Sequence, residues 1–226
     1  EPGCFSRDIP SLSSCVGMIQ YRHDLDLKTL FEPLIPRATI GELVAQKGLL
    51  QLRIAETEKY AHITYFFNGG IEAVFEGEER ILVASPREVA TYDQKPQMSA
   101  PEVSDKLVAA LDSKRHHLVV CNFANPDMVG HTGDLQAAIR AMRALDDCLG
   151  AVLKAAERNG YGVLISADHG NIEQMRTAEG KPHTQHTTGP VPLLLIGMGA
   201  AAAREGALCD LAPTLLDYMG LDQPTE

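Results

Sequence analysis

Between His117 and Ala167 the chain sets one long amphipathic stretch between two nearly continuous apolar runs, and few folds accept that order. The first run, His117-Leu-Val-Val-Cys-Asn-Phe123, has too few polar positions to leave one face in water. Such a run is expected of a parallel strand covered on both sides. Leu135, Ile139, Met142, Leu145, Leu149, Val152 and Ala156 then recur at three- and four-residue steps and predict a helix ending near Gly160. Tyr161 to Ala167 is a second buried strand. Strand, helix and strand in this order belong to an α/β domain with a mostly parallel sheet sandwiched by helices, with Met142 and Met219 in its core.

The flanking sequence extends the alternation. Thr39-Ile-Gly-Glu42 has the spacing of a helix-capping box, with a stop at Gly48. Leu49 to Ala55 reads as a strand, Glu56 to Phe67 as loop and helix closing at Gly69-Gly70, and Arg80 to Ala84 as a β-prone run. Ser99-Ala-Pro-Glu102 is a second capping box opening a helix to about Ser113. Val191 to Ile196 predicts another strand, and Leu211 to Met219 a last helix closed by Gly220. Residues 1 to about 37 carry four prolines and little periodicity, as a linker or the remnant of a neighbouring domain would. The first residue is Glu1 rather than Met, and the last is Glu226, just beyond a helix, so a fragment is expected.

Charge and cysteine usage narrow the classes. A net charge of -10 without clustered Lys and Arg argues against a nucleic-acid surface. No apolar run reaches membrane-spanning length, so no membrane partner is expected. Cys4, Cys15, Cys121, Cys148 and Cys209 are scattered and odd in number, which fits reduced thiols of a cytoplasmic protein. Cys121 is read as buried filler.

In α/β sheets, ligands bind beyond the carboxyl ends of the strands. Asn125-Pro-Asp-Met-Val-Gly-His131 follows the first apolar run, and Ala167-Asp-His-Gly-Asn171 follows the second. The long connection to Pro190 holds His183 and Gln185-His-Thr-Thr-Gly-Pro190. Asp127 and His131 share a face if helical, although such a pair is more often a cap and an exposed imidazole. Asp168 and His169 reach one ion only on irregular backbone, and alone they read as a turn. His186 alone is a surface imidazole, and His183 stays at that reading. Jointly, Asp127, His131, Asp168, His169 and His186 offer oxygen and nitrogen but no thiolate, a set suited to manganese, magnesium or zinc. Two such ions would serve phosphoryl transfer. Lys59 sits past a strand end, where an ammonium meets a phosphate or simply faces solvent in a first helical turn. His62, His116 and His117 have no partner that the sequence names.

Several longer stretches carry a resemblance. Leu52-Arg-Ile-Ala-Glu-Thr-Glu-Lys-Tyr-Ala-His-Ile-Thr-Tyr-Phe-Phe-Asn-Gly-Gly70, Ser85-Pro-Arg-Glu-Val-Ala-Thr-Tyr-Asp93, Asn122 to His131, Ala167 to Asn171 and His186-Thr-Thr stand in one order. With them the chain resembles the cofactor-independent phosphoglycerate mutases of the alkaline phosphatase superfamily, from about residue 24 to its end. The resemblance implies an alkaline-phosphatase-like fold. It implies interconversion of 3-phosphoglycerate and 2-phosphoglycerate in glycolysis and gluconeogenesis, with two Mn2+ ions (Mg2+, Zn2+ or Co2+ as alternatives) and no 2,3-bisphosphoglycerate. Asp127, His131 and His186 would hold one ion, Asp168 and His169 would contribute to the other, and Lys59 would contact the phosphoryl group. A metal-activated serine would carry that group as a phosphoserine.

That serine, an accompanying Asp and the substrate-gripping arginines of an inserted transferase domain match nothing here. Ser85, Ser99 and Ser166 fit no nucleophile motif. Residues 1–34 then read as the tail of the inserted domain with its return hinge, and 35–226 as the C-terminal part of the phosphatase-like domain. The parent is expected to be a monomeric cytoplasmic enzyme and this chain to be inactive alone. The alternatives are a metal-dependent phosphatase or phosphodiesterase of the same superfamily, and a non-catalytic fragment acting as a binding module.

Overall fold

The computed structural model describes residues 11–20, 27–32, 36–199 and 204–224. Contacts divide the chain into residues 1–36 and 37–226. In the first unit, β1 (Val16–Gly17) and β2 (Lys28–Thr29) form a short parallel pair.

The second unit begins with α1 (Ile40–Gln46), where Thr39 Oγ1 accepts from Glu42 N at 3.4 Å. The Glu42 carboxylate returns to Ala38 N at 2.8 Å, so both arms of the expected cap form, one of them a residue early. β3 (Gln51–Glu56) is buried at every position, and it leads into α2 (Thr57–Ala61). A π-helical turn over His62–Phe66 replaces the continuation of that helix, a distortion common beside functional groups. β4 (Glu78–Val83) follows, then α3 (Ala100–Ser113) and β5 (Leu118–Asn122). Ser99 precedes α3 without capping it. Its hydroxyl donates instead to Ala84 O at 2.7 Å, so the second expected box is not made. α4 (Asn125–Gly130) and α5 (Leu135–Asn159) come next, the latter capped by Asp134 and ended by Gly160 at φ 77°. β6 (Val163–Ile165), β7 (Leu194–Ile196) and α6 (Leu211–Tyr218) follow.

β4, β3 and β5 form a parallel sheet in that order, with Ile54 beside Ile81 and Cys121. Ile54, Val83, Val103, Leu107, Leu111 and Val152 pack one face under α3 and α5. Ile40, Val44, Leu118 and Leu216 pack the other under α1 and α6. Cys121 packs on the first core, and burial pushes its thiol well above the usual range. Met219 packs on the second.

α5 departs from the expected phase. Leu135, Ile139 and Met142 are exposed, Met142 by 42%, whereas Ala137, Ala138 and Ala141 are buried. α4 lies close here, with Val129 among those alanines, and small side chains take the contact that large ones were expected to make. Met142 is therefore not core.

β6 pairs with β7 antiparallel, and β5 pairs with β3 alone among the described residues. Between β5 and β6 lies a cavity of about 680 Å³ lined by Leu118, Val120, Val163, Leu164 and Leu215. Val119 and Val120 of β5 pack on opposite cores, the pattern of an interior strand rather than an edge.

Candidate metal centre

The carboxyl ends of β5 and β6 lead into the segments that carry the expected ligands. α4 opens with Asn125 and Pro126, where a missing N–H costs nothing, and puts Asp127 and His131 one turn apart. His131 Nε2 lies 3.2 Å from Asp127 Oδ1. His186 Nε2 lies 3.3 Å from that oxygen and 3.1 Å from His131 Nε2. These three atoms form a nearly equilateral triangle. Ligands at ~2.0–2.1 Å from a tetrahedral ion stand about 3.3 Å apart, so the spacing fits a first-row divalent metal.

The chemistry of the donors fits as well. His131 Nδ1 sits 2.8 Å from Thr184 O, which can only accept. The ring proton therefore belongs on Nδ1, and the Nε2 lone pair faces the centre. An imidazole lone pair facing a carboxylate oxygen and a second imidazole nitrogen can be met by a shared proton or by a cation held between them.

Around this triangle stand the other expected residues. His169 stacks on His186 with ring centroids 3.6 Å apart. Ligand atoms of Asp127, His169 and His186 lie within 4.8 Å of one another. The Asp168 carboxylate is 58% exposed, on a bend, 3.6 Å from His169 Nε2. Lys59 is not a solvated lysine: its side chain is 8% exposed, and its ammonium lies 2.6 Å from Asp127 Oδ2. Burial pushes the Asp127 carboxyl up, but hydrogen bonds from Lys59 and Asn171 outweigh it and hold the group below its usual range.

Three further histidines lie outside the triangle, although the charges of Lys59, Asp168 and Asp127 act on His62. His116 bonds Glu79 at 3.0 Å, and His117 Nδ1 accepts from Leu50 N at 3.2 Å. His62 lies at the start of the π turn, 5.6 Å from the Phe66 ring. Sequence reasoning missed Asn171, Glu173 and the Thr184 carbonyl. The first stands inside the Ala167–Asn171 motif, yet nothing in a sequence says toward which group an amide turns.

Glu56 is the other unforeseen group. It is fully buried at the end of β3, and its Oε2 accepts from Ser85 Oγ at 3.0 Å and Ser99 N at 3.3 Å. Burial raises its carboxyl above the usual range. Among the described residues Cys15, Cys121, Cys148 and Cys209 are free, and Cys4 lies outside them. No helix among the described residues is long and apolar enough to cross a membrane.

Known proteins resemble this chain. Residues 29–223 match the family model of the metalloenzyme superfamily. The 2,3-bisphosphoglycerate-independent phosphoglycerate mutase of Methylobacillus flagellatus is 58% identical over 202 residues, 88% of this chain and 39% of that protein. The enzyme of the same name from Acetivibrio thermocellus is 56% identical over 214 residues, 93% of this chain and 42% of that one. A crystal structure of Leishmania mexicana phosphoglycerate mutase at low cobalt concentration superposes with a TM-score of 0.80 at 31% identity. It covers 93% of this chain and 42% of that one, so the fold is shared. The chain spans about two fifths of the length of the curated relatives it matches. On the family match over most of its length, this chain belongs to the metalloenzyme superfamily.

Proposed function

We propose that this chain is the metal-binding part of a cytoplasmic phosphoglycerate mutase that interconverts 3-phosphoglycerate and 2-phosphoglycerate through a phosphoserine. The observation that carries the reading is the triangle of Asp127 Oδ1, His131 Nε2 and His186 Nε2, with sides of 3.1 to 3.3 Å. Manganese is the ion that the family resemblance implies, with magnesium, zinc or cobalt as alternatives. Asp168 and His169 are assigned to a second ion. Bound there, the two ions would supply positive charge to the phosphoryl oxygens and lower the pKa of a coordinated hydroxyl.

The chain's own residues then have separate tasks. Asp127, His131 and His186 present their donors without rearrangement, since Thr184 O already fixes the His131 tautomer. Lys59 would hold the phosphoryl group by charge, and its bond to Asp127 keeps the ammonium at the shell. The nucleophile is a different matter. Ser85 Oγ bonds Glu56, Ser99 Oγ bonds Ala84 O and Ser166 Oγ bonds Ala167 O, so none is directed at the triangle. The serine and the remaining ligands of the second ion are assigned to a segment outside this chain. The edge of β5, unpaired among the described residues, suits one more strand, and a strand paired parallel to β5 would end at the sheet edge where Asp127 stands. Residues 1–34 are read as the tail of an inserted domain.

A chimera tests this directly. The preceding part of the M. flagellatus relative is fused to this chain and assayed with 3-phosphoglycerate, manganese and coupled enolase. Turnover is expected from the chimera and not from this chain alone. Hydrolysis of an aryl phosphate exceeding mutase turnover would instead favour a phosphatase. A folded chimera with neither activity would favour a binding module.

A further inference from the structure

The ligands of the metal centre come from separate segments: α4, the bend after β6, and the loop that holds His186. We propose that Asn171 and Glu173 clamp these segments together before any ion binds, an inference that rests on the metal-centre reading above.

Asn171 is 5% exposed. Its amide nitrogen donates to Asp127 Oδ1 at 2.6 Å and to Asp127 O at 3.1 Å. Both partners are acceptors, so the orientation of the amide follows from chemistry. Asp127 Oδ1 is the oxygen that belongs to the triangle, whereas Lys59 takes Oδ2. Asn171 therefore turns the shell's carboxylate and pins its backbone as well. The approach is close enough to dictate the sequence of α4. A Cβ on Gly130 would stand 2.5 Å from Asn171 Oδ1, so only glycine lets the amide cross the helix there. That Oδ1 is buried without a partner among the described residues, a cost that an apolar side chain would avoid. A polar group kept at such a cost has work for its other end.

Glu173 continues the chain of bonds. Its Oε2 accepts from Asn171 N at 2.6 Å, and its Oε1 accepts from the hydroxyl of Thr187, the residue after His186. Thr187 N donates to Gly170 O at 2.8 Å, a bridge that returns the His186 segment to the bend carrying Asp168 and His169. The result is a closed circuit from Asp127 through Asn171, Glu173 and Thr187 to His186, whose Nε2 faces Asp127 again at 3.3 Å. Neither Asn171 nor Glu173 belongs to the triangle. They are positioning residues, and partners of this kind set metal affinity through the order they impose on ligands.

The test titrates the whole chain with Mn2+ by calorimetry, with Asn171→Ala, Glu173→Ala and the control Asp127→Ala. Glu173 is exposed, so its variant retains the fold even if Asn171→Ala does not. The clamp predicts affinity weaker by ~10–100-fold in both variants at unchanged stoichiometry. It also predicts an altered visible spectrum of bound Co2+. A merely structural role would lower the fraction of chain that binds and leave its affinity and spectrum alone. Affinities within about threefold of the parent chain, with binding abolished by Asp127→Ala, would overturn the clamp and leave the metal centre standing. If the parent chain binds no ion, or Asp127→Ala binds as well as it does, the metal-centre reading fails. The clamp is then judged on the metal-free chain by hydrogen exchange at the Thr187 amide: faster exchange in both variants supports it, and unchanged exchange overturns it.

Discussion

Replacing Lys59 with Met should move metal-free stability and metal affinity in opposite directions. The ammonium lies 2.6 Å from Asp127 Oδ2, with side-chain exposures of 8% and 15%. Exposed pairs contribute ~0–1 kcal/mol, whereas removing one partner of a fully buried pair costs ~3–5 kcal/mol. This pair stands nearer the buried limit, so Lys59→Met should cost about 3 kcal/mol in the metal-free chain. For a chain of this size that lowers the melting temperature by roughly 6–12 °C, read by circular dichroism with a chelator present. Once an ion is bound, Asp127 has another positive partner and the lysine charge opposes it. Mn2+ should therefore bind the variant ~10-fold or more tightly, equivalent to about 1.4 kcal/mol. The pH dependence follows the same pair. Asp127 is held below its usual value of 3.8, so the stability it contributes is present above that pH and lost as pH falls through the depressed folded value. Lys59→Met should flatten that acid limb. Weaker metal binding joined to an unchanged melting temperature would refute the reasoning, because Lys59 would then support the ion instead of standing in for it.

Glu56→Gln tests the buried carboxyl in the opposite sense. Burial raises the folded pKa above the usual 4.5, so its penalty is absent below that value and grows as pH rises from it toward the folded value. Urea denaturation should show the variant gaining on the parent chain between pH 4.5 and pH 7.5, and a pH-independent difference would contradict this. Leu107, 4% exposed between the sheet and the helices, should cost ~2–5 kcal/mol on truncation to Ala, again read by urea. Met142→Gln should change stability by less than ~0.5 kcal/mol, because that side chain faces outward despite its place in the apolar periodicity.

The strongest sequence signals were those that local physics alone explains. The helix predicted from Ser99 to Ser113 forms over Ala100–Ser113, and the run at His117–Phe123 forms β5. Gly160 and Gly220 stop their helices with φ of 77° and 66°. What stayed hidden depends on neighbours. The 3.6-residue period of α5 carries its helicity but not which side α4 presses against, so Leu135, Ile139 and Met142, inward by the period, face outward. The antiparallel sense of β7 is a pairing choice that no local pattern carries. The five candidate ligands were legible as residue types at sheet-edge positions, since strand ends place their loops together, whereas the grouping of Asp127, His131 and His186 came only from the family resemblance. The Asn171–Glu173 circuit was not legible, because amides and exposed carboxylates are ordinary in loops and acquire meaning only from the atoms opposite them.

Electron paramagnetic resonance of Mn2+ added to the metal-stripped chain reports whether the Asp127, His131 and His186 shell holds an ion. Free aqueous Mn2+ gives a sharp six-line signal that weakens on binding, so the loss counts sites. The first equivalent should be taken up by the shell of Asp127, His131 and His186, and uptake should be lost in Asp127→Ala and in His186→Ala. Full signal from the first equivalent, or uptake that neither variant disturbs, would contradict it.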